Sequence, residues 1–275
     1  MPALFSYRDN EIYSHHSIDE RPEPESFTMH AHEWMEIIYF ISVDGSYLVE
    51  GNQYALSPHD ILITRSAETH KLVVNEGKPY ERMVIHFAPS LLSDIDPTQR
   101  LLRPFLDRPL GQRNLYPSTD PFSEKLRAAF ADFTFDHLPD IRLNLFARLL
   151  LFLTALNGIY EQAGHRTVPG SFPNQLVTYV NEHLFEPLSV QSIADHFYLS
   201  RSHISRVFMQ ATGSSLWEYV TIKRLLAARA RLQRGEPAGN ACIACGFSDY
   251  SAFFRAYRAH FGHSPKEDSV SASVV

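Results

Sequence analysis

The chain has 275 residues, 44% of them hydrophobic and 20% charged, with 17 Pro and 12 Gly, a composition that can bury a sizeable core, suits two domains and excludes a disordered or fibrous protein. Formal charge is −6, from 25 Lys+Arg against 31 Asp+Glu, which as an average argues against a polyanionic partner, since phosphate binding is driven by Lys and Arg. The average hides two halves: residues 1–173 carry 15 basic and 23 acidic groups, a net of −8, whereas residues 174–275 carry 10 and 8, a net of +2. No window reads as the roughly 18 apolar residues of a membrane span, and the start has no basic segment followed by an apolar core and cleavage site, so a soluble cytoplasmic protein without a membrane partner is expected. Cys242 and Cys245 are too few for a disulfide framework and supply only half the ligands of a structural zinc.

Between about Phe27 and Phe87, short β-rich runs (Glu36–Ile41, Tyr47–Glu50, Ile61–Thr64, Lys71–Val74 and Arg82–Phe87) are separated by turn residues at Asp44-Gly45, Gly51-Asn52, Pro58 and Gly77. Strands this short and regular predict a small antiparallel barrel or sandwich. Within it, His30, His32 and Glu36 at alternate spacing, with His70 downstream, could share one strand face and point inward, a donor set able to bind Zn, Fe, Mn or Ni or to line a polar pocket. Hydrogen-bonded structural histidines are the third possibility. In the last strand Arg82, Val84 and His86 fall on one face, so Arg82 and His86 join the pocket if that face is inward; alternatively Arg82 pairs with Glu81 or Glu68 at the surface.

From Phe122 to Ile159 apolar residues recur at helical spacing: Leu126, Phe130 and Phe133, then Leu143, Phe146, Leu150, Leu153 and Leu156. Two helices broken near Pro139 are expected, with a dimer contact assigned to them. Gln162 to Pro173, with two Gly and two Pro and no apolar period, reads as a linker.

The C-terminal third repeats itself. Ser200, Ile204, Arg206, Phe208, Gly213 and Ser215 recur 49 residues later as Asp249, Phe253, Arg255, Tyr257, Gly262 and Ser264. In each copy a capping residue opens an amphipathic helix and a glycine closes it. Ser189 can cap a shorter helix (Val190, Ile193, Ala194, Phe197) that turns at Tyr198-Leu199 into the first copy. Asn240 to Ala244, with a turn at Cys245-Gly246-Phe247, does the same for the second. Between them Leu216–Leu232 forms one patterned helix with Lys223, Arg224, Arg229 and Arg231. Two helix-turn-helix units on such a connector could enter successive major grooves ~34 Å apart. The exposed residues Arg201, Ser202, Ser205, Arg206, Tyr250, Ser251 and Arg255 would face bases, with Lys223 on phosphate; the alternative is that the arginines solubilise a bundle. Cys242 and Cys245 read as small buried residues rather than a redox pair. Nucleotide-binding glycine loops and a G-x-S-x-G elbow are missing from the sequence.

Leu188–Pro265, with Gly246-Phe247-Ser248-Asp249, Phe253, Arg255, Tyr257, Gly262, Ser264 and Pro265, resembles the double helix-turn-helix domain of AraC/XylS-type transcription regulators. Phe254 departs from the polar residue expected there, and Ala241-Cys242 stands where that family usually has Ile-Ala. The histidine cluster resembles the first cupin motif. Pro58–Ile63 before His70 resembles the second, with Arg65–Thr69 in place of its Pro-x-Gly. The resemblance implies an α+β multidomain protein: a cupin-like β-barrel effector domain (1–120), a helical dimerisation segment (121–162), a linker (163–173), an all-α double helix-turn-helix domain (174–268) and a tail (269–275). It also implies operator DNA, a small polar effector held by His30, His32, Glu36, His70, Arg82 and His86, a second copy of the chain and RNA polymerase as partners, with no catalysis and no cofactor. A metal-dependent cupin enzyme with a DNA-binding tail is the rival.

Overall fold

β-branched and aromatic residues in period-two alternation form nine strands among the described residues, which in this computed structural model are 3–130, 140–163 and 171–271. The strands are β1 (Ala3–Arg8), β2 (Ile12–Asp19), β3 (Met35–Ser42), β4 (Gly45–Val49), β5 (Asn52–Leu56), β6 (Ile61–Thr64), β7 (His70–Val74), β8 (Tyr80–Phe87) and β9 (Leu115–Tyr116). They pair antiparallel in two sheets, ordered β1-β2-β8-β3-β6-β9 and β5-β4-β7. Of the two forms the sequence left open, these ladders draw the sandwich. The sequence reading omitted β1 and β2, where Ser and His interrupt the apolar alternation, although β2 pairs with β8 along its whole length.

Alternation sorts each strand between two cores. Met35 and Ile37 of β3 join Ile61, Ile63, Ile85 and Phe87 on the face covered by helices. Ile38 and Phe40 face the other way, meeting Tyr47, Val49, Leu72 and Val74 of the smaller sheet. The covering helices are α1 (Arg103–Leu106), α2 (Ser123–Ala128) and α3 (Ile141–Ala163). Residues Ile141–Gln162 are long and apolar enough to cross a membrane by length and composition, which the sequence reading overlooked. They bury Leu145, Leu149, Phe152, Leu153 and Leu156 against the large sheet, and Arg142 fixes the helix start to Asp9 and Glu11, each at 2.8 Å. Of the expected stripe, Leu153 and Leu156 are buried and Phe146 and Leu150 pack against the core, whereas Leu143 is 64% exposed, as is the neighbouring Leu151 at 68%. A helix apolar on nearly every side does not reveal by period alone which face packs. Phe133, Pro139 and most of the expected linker lie outside the described residues.

The chain divides into two units, Met1–Thr28 with Glu33–Pro169, and Met29–His32 with Gly170–Val275. The second is helical: α4 (Phe172–Glu182), α5 (Val190–Phe197), α6 (Arg201–Thr212), α7 (Leu216–Leu232), α8 (Ala238–Ala244), α9 (Tyr250–Phe261) and α10 (Pro265–Ser271). Side chains of Ser189, Ser200, Ser215 and Asp249 accept backbone N–H groups at the starts of α5, α6, α7 and α9, each cap worth about 1 kcal/mol. Gly213 and Gly262 end α6 and α9 in left-handed geometry, at φ 75° and 80°. The last helix runs to Ser271, into the stretch expected to be a tail.

Candidate functional sites

Each helix-turn-helix is built by local rules. α5 ends at Tyr198, whose left-handed backbone (φ 55°) reverses the chain so that Ser200 can cap α6. α8 ends at Cys245, and Gly246 (φ 79°) makes the equivalent reversal before Asp249 caps α9. Burial of Ile204, Phe208, Phe253 and Tyr257 fixes the rotation of the two second helices. That rotation leaves Arg201, Ser202, Ser205 and Arg206 of α6 exposed, with Tyr250, Ser251 and Arg255 of α9, while Phe254 is half-buried. Arg206 and Arg255 therefore occupy equivalent solvent-facing positions, as do Ser202 and Ser251.

The connector behaves differently. Lys223, expected on a phosphate, is only 7% exposed and holds its ammonium 5.6 Å from the Tyr219 ring centre. Arg229 reaches Asp268 at 3.2 Å and stacks over Phe261, and Arg231 pairs with Glu236 at 2.9 Å. These cations hold the helical unit together. The misreading has a physical source: α7 is packed on several sides, so its basic residues are not confined to a solvent face. Cys242 and Cys245 are free, buried thiols, and burial pushes both up from the ordinary cysteine range.

In the sheet unit, strand register assembles a polar row on the inner face of the large sheet: Tyr13 opposite His86, His86 opposite Glu36, Glu36 opposite Thr64. Glu36, 4% exposed, accepts the Thr64 hydroxyl at 3.0 Å through Oε2 and lies 3.0 Å from His86 Nε2 through Oε1. His70 Nε2 comes from the other sheet to within 3.3 Å of Oε2. Its Nδ1 is 2.8 Å from the Glu68 carbonyl, which can only accept, so the Nδ1 proton is fixed. Two imidazoles and a carboxylate are also a donor set suited to a divalent metal.

Tyr13 stacks on His86 with 5.4 Å between ring centres and on His15 at 5.1 Å. Burial, with the nearby charges of Arg82 and His86, pushes His15 down to about 4, so it is a neutral imidazole at pH 7. Arg82 shares the inner face, its guanidinium 4.6 Å from the Tyr80 ring centre. The carboxylates weighed as its partners are engaged elsewhere, Glu81 with His16 at 2.7 Å and Glu68 with Arg108. Among the expected pocket residues carried on the strands, Glu36, His70 and His86 meet, and Arg82 lies on the same face. His30 and His32 precede β3, which begins at Met35, so the expected strand alternation with Glu36 is not formed; both fall in the Met29–His32 segment of the helical unit.

Sequence reasoning missed Tyr13, His15 and Thr64, whose alignment is a product of register. It also missed Arg108, whose side chain and that of Glu68 have no exposed surface. Glu68 further accepts the Gly111 N–H at 2.9 Å and the Asn114 amide at 3.1 Å. Burial opposes the charged form of Glu68, but the Arg108 charge and hydrogen bonds outweigh it and hold the carboxyl at about 2. This network ties the segment after α1 to the turn that carries His70.

Residues 17–143 match the model of an AraC-like ligand binding domain, and residues 193–268 match a helix-turn-helix domain. The chain is 24% identical over 262 residues to the HTH-type transcriptional activator RhaS of Klebsiella pneumoniae (strain 342), covering 91% of this chain and 90% of that protein. The Citrobacter koseri protein of the same name is 26% identical with the same coverage. Among solved structures, ToxT from Vibrio cholerae O395 aligns over 97% of this chain and 100% of its own at 11% identity and a TM-score of 0.40. An AraC-type transcriptional regulator from Chromobacterium violaceum aligns over 36% of this chain and 89% of its own at 32% identity and a TM-score of 0.33.

Proposed function

Because the chain belongs to the AraC family of transcription regulators, with an N-terminal ligand-binding domain and a C-terminal helix-turn-helix domain, we propose that α6 and α9 read adjacent major-groove segments of one operator. Arg206 and Arg255 contact base edges, assisted by Arg201, Ser202, Ser205, Tyr250 and Ser251. The observation that carries this reading is the equivalent, solvent-facing placement of Arg206 and Arg255 on two helices capped and closed alike.

The effector is a small polar molecule, sugar-like or anionic, bound on the inner sheet face by Glu36, His70, Arg82 and His86 with His15 and Tyr13. Buried hydroxyl or acid groups demand paired donors and acceptors, which this face offers beside aromatic rings. The outer side of α3, where Leu143 and Leu151 are exposed, serves a homodimer, and dimerisation raises the effective concentration for a second operator contact. Effector binding shifts which pairs of half-sites the dimer occupies together. The relatives are named transcriptional activators, and for this cytoplasmic regulator that extends to contact with RNA polymerase.

Selection of bound sequences from a random DNA pool by the full-length protein, with and without a panel of metabolites, tests this. The expected result is a motif of two segments about ten base pairs apart, whose occupancy one compound alters and Glu36→Gln or Arg82→Ala makes unresponsive. Absence of any enriched motif would overturn the reading.

A further inference from the structure

α7 passes through two cores. Leu216, Tyr219 and Val220, in its first half, pack with α4, α5 and α6. Leu225, Ala228 and Leu232, in its second, pack with α8 and α9. Arg224 stands where one core gives way to the other. Its guanidinium, on a residue only 7% exposed, donates from Nε to the Leu184 carbonyl at 2.7 Å, from one terminal nitrogen to the Glu186 carbonyl at 2.8 Å and from the other to the Gly246 carbonyl at 2.6 Å. Leu184 and Glu186 lie between α4 and α5, in the first helix-turn-helix half, whereas Gly246 is the turn of the second.

The two halves also meet without side chains between them. A Cβ on Gly246 would lie 2.7 Å from the Phe185 carbonyl oxygen and 3.0 Å from Arg224 Cζ, so only glycine fits that approach, and its φ of 79° independently disfavours any other residue. A planar fork of rigidly spaced donors can hold three carbonyls in fixed relative positions, which a lysine ammonium on a flexible stem does not do. A buried cation satisfied only by backbone carbonyls carries no information about side chains around it. What it defines is the relative placement of two backbone segments.

We propose that Arg224 is a positioning residue that sets the distance and rotation between α6 and α9, and with them the spacing at which the protein accepts two DNA segments. Inserting one base pair between the segments rotates the second by roughly 35° about the DNA axis, a mismatch that a rigid pair of reading helices rejects and a hinged pair accommodates. The inference rests on the reading that both helices enter the groove.

The test uses full-length wild type, Arg224→Lys and Arg224→Gln. Each is used to select from a random DNA pool, then measured on the enriched site and on derivatives with one base pair added or removed between segments. Wild type is expected to lose about tenfold or more in affinity on either derivative, Arg224→Gln less than about threefold, and Arg224→Lys an intermediate factor, with base preferences inside each segment unchanged. Circular dichroism and thermal melting establish that each variant is folded. If Arg224→Gln does not fold, Arg224→Lys, which keeps the charge but not the three-way fork, carries the comparison. A folded variant with wild-type spacing discrimination overturns the proposal. So does loss of the second segment's base preference, which would make Arg224 a support of that half alone. A wild-type motif of one segment would instead overturn the two-groove reading, which distinguishes the two failures.

Discussion

The two units place their charged groups in opposite ways. In the helical unit the cations equivalent between repeats, Arg206 and Arg255, are exposed, whereas Arg224, deep in the connector beside Lys223, is met by carbonyls. In the sheet unit the distinctive charged groups, Glu36, Glu68 and Arg108, are buried and answer one another or a histidine. On the proposed assignment of sites, function is therefore separable from stability in the first and bound up with it in the second. A surface that meets DNA leaves its reading groups in water until the partner arrives. A face that takes a small molecule from water has its polar groups desolvated in advance, and the fold must compensate them.

The largest expected effect tests that contrast. Glu68→Gln or Arg108→Met leaves one member of a buried pair alone, and chemical denaturation should show a loss of about 3–5 kcal/mol. Arg206→Ala, on the exposed face, should change unfolding free energy by less than about 0.5 kcal/mol. Similar losses in both would mean that the buried pair is no more committed to the fold than a surface residue.

Acid provides a second route to the same difference. The folded Glu68 carboxyl is held at about 2, below its ordinary 4.5, so its contribution to stability is fully present above pH 4.5 and is lost as pH falls toward 2. That contribution is on the order of 3 kcal/mol. His15 is depressed from 6.5 to about 4, so the unfolded chain takes up that proton first and destabilisation begins below pH 6.5. Denaturation of the sheet unit followed between pH 7 and 3 should show both phases. Glu68→Gln should remove the lower one and His15→Phe the upper.

On DNA the order is reversed. Arg206→Ala and Arg255→Ala should each lower affinity for the selected operator by about 1–3 kcal/mol, with far smaller changes on random DNA, as competition binding would measure. Equal loss on both DNAs would reassign them from base reading to phosphate holding.

These differences also explain what could be read in the chain beforehand. Helices α5, α6, α7 and α9 follow from residues within a single short stretch of chain, such as Ser200 and Gly213 at the two ends of α6, so spacing alone located them. The row Tyr13–His86–Glu36–Thr64 joins four strands spread over more than 70 residues, and only register brings it together. His30 and His32 looked like strand partners of Glu36 because alternation is a local pattern, but the strand that would realise it starts at Met35. Arg108 carried no signal, since a lone arginine in a loop does not show that it will meet a carboxylate 40 positions earlier.

The smallest effect compares the two repeats directly. Ser200 caps α6 with one hydrogen bond, accepting the His203 N–H at 3.3 Å. Asp249 caps α9 with two, from Ser251 at 2.8 Å and Ala252 at 3.3 Å, and adds a negative charge at the positive end of the helix dipole. Asp249→Ala should therefore cost about 1–2 kcal/mol and Ser200→Ala about 0.5–1 kcal/mol, measured by thermal melting. DNA reverses the advantage, because a carboxylate at the start of a reading helix repels phosphates. Asp249→Asn keeps the cap acceptor and removes the charge, so it should bind operator more tightly at low salt while melting slightly earlier than wild type. If Asp249→Asn binds no more tightly at any ionic strength, the start of α9 does not approach the DNA backbone, and the second repeat reads DNA in a different orientation from the first.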